Sequence, residues 1–145
     1  MPHAGSGAST APPPADPIAD LRAAIAAQPV TAASDVGTTD PSAALDRYRR
    51  LATDDKGASA SGGLYGMARI QGLSLGQGAE ALRTLAAYVR RFPDGAELEA
   101  VLWLRLRILC RGGIDDACRA AAHTYLGRFP DHDRARLVEL ITDAR

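Results

Sequence analysis

Apolar side chains recur at helical spacing along most of the chain after residue 40. The clearest stripe runs from Ala81 to Phe92, with Leu85 and Tyr88 on one face and arginines on the other. Pro93 follows it, and the residue before a proline is driven away from helical backbone angles. Patterns of this kind predict six helices here, over about 41–53, 64–70, 81–92, 96–111, 116–129 and 132–144.

Capping and helix-breaking residues set the expected boundaries. Asp40 before Pro41 is a start signal, and Asp94 with Glu97 three places later predicts a capping box for the fourth helix. The segment from Asp54 to Gly63 is rich in aspartate, serine and glycine, which break helices. We therefore expect a loose linker there.

An internal repeat is visible in the same region. The tetrapeptide Arg-Phe-Pro-Asp occurs at 91–94 and again 37 residues later at 128–131. The same shift carries Ala81 onto Cys118 and Tyr88 onto Tyr125. Self-similarity at such a period is typical of helical-repeat arrays, in which each helix pair buries its apolar face against a neighbour.

The chain before the repeats has a different composition. Residues 1–15 hold proline, glycine, serine and alanine, a composition that predicts a disordered leader. Residues 16–40 predict one short helix, capped by Asp16 and started by Pro17, followed by a polar linker. The predicted domain organisation is thus leader, 16–40, and an all-α repeat domain over 41–145.

The alternation of helix, glycine turn, helix and proline turn resembles the tetratricopeptide repeat (TPR), a pair of antiparallel helices. Ala81 and Cys118 match that family's small position, and Pro93 and Pro130 match its closing proline. The resemblance extends to repeats of bacterial envelope proteins, such as outer-membrane-assembly lipoproteins, and to repeat tails of anti-sigma-type regulators. It implies a right-handed α-solenoid fragment, a protein-binding role and a periplasmic or envelope location.

Charge and composition narrow the functional classes. Basic and acidic residues balance at 17 each, so no net field attracts nucleic acid. No apolar run approaches the roughly 20 residues that span a bilayer, and no signal segment follows Met1. Taken literally, the start predicts a cytoplasmic protein, in conflict with the resemblance. We find no catalytic motif and expect neither enzymatic activity nor a cofactor.

Arginines on the predicted inner helices are the candidate partner-binding residues. In TPR arrays these helices line a concave groove, where guanidinium groups can hold carboxylates of a peptide in a bidentate way. Trp103, if exposed, would be an interface anchor. The competing interpretations are a solvated arginine face and a tryptophan packed in the core. The candidate set is Arg69, Trp103, Arg105, Arg107 and Arg111.

The two cysteines flank the turn at Gly112 and Gly113. Cys110 and Cys118 can form a disulfide across it, or both can be small core residues in reduced form. A zinc site with His123 and His132 lacks the close cysteine spacing of structural sites. Catalysis by Cys118 with His123 is disfavoured because the two point to different sides of a helix.

The sequence therefore predicts a non-enzymatic adaptor or scaffold that binds a protein or peptide in a helical-repeat groove. The alternative is a structural or self-associating tail of a larger envelope or regulatory protein. The marginal number of repeats adds the expectation of a homodimer, because stacked repeats need neighbours to bury their faces.

Overall fold

The computed structural model describes residues 40–53 and 58–143, and this part of the chain is helical throughout, without strands. The class is therefore all-α. The predicted leader and the short helix between residues 16 and 40 lie outside the described residues, Asp40 excepted. The helices are α1 (Pro41–Ala52), α2 (Ala58–Arg69), α3 (Gly78–Arg91), α4 (Leu98–Leu109), α5 (Asp116–Arg128) and α6 (Ala135–Asp143).

Helix α2 corrects the predicted linker, because it begins at Ala58 rather than at Leu64. Its glycines pack instead of breaking the helix. A Cβ atom at Gly63 would lie 2.5 Å from the Ala52 nitrogen, and one at Gly66 would overlap the Tyr48 ring. Helices α1 and α2 thus approach so closely that only glycine fits between them.

A π-helical turn, Ile70–Ser74, extends α2. The buried Gln71 within it accepts a hydrogen bond of 2.7 Å from the Thr84 hydroxyl of α3. Arg111, just beyond α4, donates to the Gly72 carbonyl at 3.0 Å. The turn is therefore tied to the helices on both sides of it.

The two Arg-Phe-Pro-Asp segments adopt the same backbone. The Phe92 nitrogen donates to the Tyr88 carbonyl at 2.7 Å, and the Phe129 nitrogen donates to the Tyr125 carbonyl at 2.8 Å. The two phenylalanines have φ angles of −131° and −132°. Each ring also stacks on the tyrosine one turn earlier, with centroids 5.6 and 5.8 Å apart. The repeat found in the sequence is thus also a local structural repeat.

Each helix packs against the next along the chain. Hydrogen bonds also join helices two apart: Arg91 of α3 reaches the Ala52 carbonyl of α1, and Arg134, before α6, reaches Glu99 of α4. The main apolar core lies among α2 to α6, and a smaller cluster joins α1 to the π-helical turn. No described helix has both the length and the apolar content to cross a bilayer.

The predicted capping box at Asp94 and Glu97 is wrong. Helix α4 begins at Leu98 without a side-chain cap, and the Asp94 carboxylate instead accepts from Arg128 at 3.1 Å. Glu97 turns inward, where it accepts the Tyr88 hydroxyl proton at 2.7 Å. The buried tyrosine competes more strongly for this carboxylate than the exposed helix start does, because a buried hydroxyl without a partner is costly.

Alkaline pH should destabilise this arrangement. Burial raises the pKa of Tyr88 and of Tyr125, and hydrogen bonds to Glu97 and Glu99 raise both further. The folded chain therefore holds these protons more tightly than the unfolded chain, so the stability they contribute is present below about pH 10 and falls as the pH rises.

Urea unfolding near neutral pH and above about pH 10 measures this effect. The Tyr88→Phe, Tyr125→Phe double variant should be less stable than the parent near neutrality but lose less stability on alkalinisation. Equal pH slopes for parent and variant would contradict the assignment of the raised pKa values to these two tyrosines.

Candidate functional site

One face of α4 carries Glu99, Trp103 and Arg107, each one helical turn after the previous one. Trp103 is buried, with 4% of its surface exposed. Arg134 covers it, with the guanidinium carbon 4.9 Å from the ring centroid, a cation–π arrangement. This face is therefore built as a layer, with an indole below and a guanidinium above.

Arg134 is held in place by a carboxylate. Its Nη1 donates to both oxygens of Glu99 at 3.2 Å, and the Tyr125 hydroxyl donates to the same carboxylate. The Nδ1 atom of His132 lies 3.1 Å from the Tyr125 hydroxyl and accepts the Arg134 backbone N–H at 3.2 Å. Glu99 thus joins α4, α5 and the turn before α6.

Helix α2 adds an aromatic ring and a further guanidinium to this region. Arg69 is buried, with 5% exposed, and its guanidinium carbon lies 5.6 Å from the centroid of the Tyr65 ring. Burial raises the pKa of Tyr65, while the charges of Arg69, Arg134 and Arg107 act in the opposite direction. The electrostatic effect on this one hydroxyl shows that the three arginines lie near each other.

Arg107 completes the set. Burial lowers its pKa, and the positive charges of Arg111, Arg134 and Arg69 lower it further. Its Nε atom is buried and has no hydrogen-bond partner among the described residues, and the same holds for Trp103 Nε1 one turn earlier. We refer to Arg69, Arg107 and Arg134 as the arginine cluster.

The structure brings together two of the predicted arginines and leaves two elsewhere. Arg69 and Arg107 share the cluster. Arg105 does not, because two residues along a helix rotate a side chain by about 200°, away from Arg107. Arg111 is used for the Gly72 carbonyl of the π-helical turn.

The interpretation of Trp103 as an exposed anchor is wrong, since the ring is buried beneath Arg134. Arg134 itself was not predicted. The 37-residue shift places it opposite Glu97, a residue of the other charge, so the repeat gave no signal for a cation at this position. Only the fold brings the turn before α6 onto α4.

The structure places the two cysteines in a disulfide. Cys110 ends α4 and Cys118 lies in the first turn of α5, with Cα atoms 4.8 Å apart and the sulfurs bonded. Cysteines paired in this way are not zinc ligands, and the described residues contain no group of three or more metal-ligating side chains. The bridge fixes the α4–α5 turn next to Arg111.

Comparison with known proteins yields no relative. No protein-family model matches the chain, and neither a curated protein nor a solved structure matches it significantly.

Proposed function

We propose that the chain is a non-enzymatic protein-interaction module that binds a protein or peptide on the face formed by α2, α4 and the turn before α6. The observation that supports it most directly is the arginine cluster. Three guanidinium groups of this face act on the Tyr65 hydroxyl, together with a single carboxylate, Glu99. Such a concentration of like charge costs stability, which binding of an anionic partner would recover.

The architecture we propose is a TPR-like right-handed array of helix pairs. The repeated closing turns at Phe92 and Phe129, and the small buried residues Ala44, Ala81 and Cys118 at intervals of 37, support it. In such an array α2, α4 and α6 form the inner layer. The arginine cluster then lies in the concave groove, where arrays of this type hold extended segments.

An oxidising compartment is the location that we propose. Cys110 and Cys118 are paired in the structure, and cytosolic thiols are generally kept reduced. This supports the envelope location implied by the resemblance to periplasmic repeats.

Affinity capture from a native lysate with the full chain as bait tests the interaction function. The Arg107→Gln, Arg134→Gln double variant should lose a partner that the parent retains. The matched control is Arg105→Gln, Arg136→Gln, which removes the same charge from the opposite face of α4 and from an exposed position of α6. We expect the control to retain the partner.

Two outcomes would overturn the proposal. If both double variants captured the same proteins as the parent, the arginine face would have no part in binding. If all three baits recovered only copies of the chain itself, a self-associating tail would be the better interpretation, and light scattering would show its oligomeric state.

A further inference from the structure

The charge of the arginine cluster is incompletely compensated. Arg69, Arg107 and Arg134 carry three positive charges, and the carboxylate that acts among them is Glu99. Glu99 is bonded to Arg134, with oxygens 3.2 Å from its Nη1, and these side chains are only 20% and 31% exposed. A net charge of +2 therefore remains in a partly desolvated place, where Coulomb interactions are stronger than in water.

The same face holds two donors that lack acceptors. Trp103 Nε1 and Arg107 Nε are buried without hydrogen-bond partners among the described residues, and they lie one turn apart on α4. A buried N–H without an acceptor costs about 1–3 kcal/mol. Oxygen atoms delivered to this face, as Arg134 moves aside, would recover part of that cost.

We infer that the arginine cluster recognises a partner segment with two neighbouring carboxylates, that is, an acidic peptide. The inference deepens the proposed interaction function and rests on it. One carboxylate would neutralise half of the remaining charge, and two neutralise all of it. Each planar carboxylate can accept paired N–H bonds from one guanidinium. Glu99 is then an internal competitor that holds Arg134 over Trp103 until the partner binds.

Fluorescence anisotropy of the full chain with a labelled, C-terminally amidated Gly-Glu-Glu-Gly peptide tests this. We expect this peptide to bind about tenfold more tightly than the matched Gly-Gln-Gln-Gly peptide, since charge-assisted hydrogen bonds exceed neutral ones. Binding should weaken as salt is raised. Trp103 is the only tryptophan of the chain, so its emission should change with the acidic peptide as Arg134 leaves the ring.

Three variants make the test specific to this site. Arg107→Gln should weaken acidic-peptide binding about tenfold, whereas Arg105→Gln on the opposite face of α4 should change it less than about twofold. Glu99→Gln removes the internal competitor and should tighten binding severalfold. A variant that merely failed to fold would not gain affinity, so this gain separates recognition from stability.

Equal binding of the two peptides would overturn the inference, as would equal losses from Arg105→Gln and Arg107→Gln. So would displacement of the peptide by inorganic phosphate at the same concentration, since the site would then be a general anion site. If capture of a protein still depended on the arginine cluster while the acidic peptide did not bind, the interaction function would stand and acid recognition would fail. If capture did not depend on the cluster, the proposed function itself would fail.

Discussion

Replacing Gly63 with alanine should destabilise the protein by about 2 kcal/mol or more, although alanine is the better helix former. The added Cβ would lie 2.5 Å from the Ala52 nitrogen and 2.8 Å from the Leu51 carbonyl carbon. Both atoms belong to the backbone of α1, so no side-chain rotation relieves the overlap. Helix α1 must move away from α2, and the small cluster around Leu45 and Tyr48 must open with it.

Gly127→Ala is the matched control for this substitution. Gly127 also lies within a helix, α5, but a Cβ there would meet nothing within 4 Å. Its replacement should stabilise the protein by about 0.5 kcal/mol, because alanine loses less backbone entropy than glycine on folding. Urea unfolding of both variants measures the two signs. A stabilised Gly63→Ala variant would show that α1 and α2 do not approach as closely as the structure indicates.

The glycines of α2 also show why the predicted linker was wrong. Intrinsic propensity counts glycine as a helix breaker, and from sequence alone Gly62, Gly63 and Gly66 read as a loop. Their role depends on Tyr48 and Ala52, which belong to another helix. A preference of this kind is tertiary, so no local pattern contains it. The predictions for α1, α3 and α5 came closer, because proline or aspartate marks one end of each.

The candidate site divides along the same line. Arg69 and Arg107 were found because they lie on helices whose inner face the repeat pattern indicates. Arg105 was included with them although helical geometry alone separates it from Arg107, an error that the sequence itself could have prevented. Arg134 required the fold, because its neighbours Trp103 and Glu99 are about 30 residues earlier in the chain.

Removing the disulfide should lower the free energy of unfolding by about 2–3 kcal/mol, the chain-entropy estimate for so short a loop. Cys110 and Cys118 are eight residues apart in sequence and both are buried. Alanine suits position 118 in particular, because Ala44 and Ala81 occupy the equivalent buried positions 37 and 74 residues earlier. The Cys110→Ala, Cys118→Ala variant therefore loses the cross-link with little loss of packing.

Comparison with a reducing agent completes the measurement. Dithiothreitol should lower the urea midpoint of the parent to nearly that of the double-alanine variant, and it should leave the variant unchanged. Intact mass spectrometry should find the oxidised parent lighter than the reduced parent by two hydrogens. If the parent isolated under oxidising conditions carried two free thiols, or if reduction did not change its stability, the bridge would not be part of the stable fold. The argument for an oxidising compartment would then lose its support, whereas the arginine cluster, which contains no sulfur, would be unaffected.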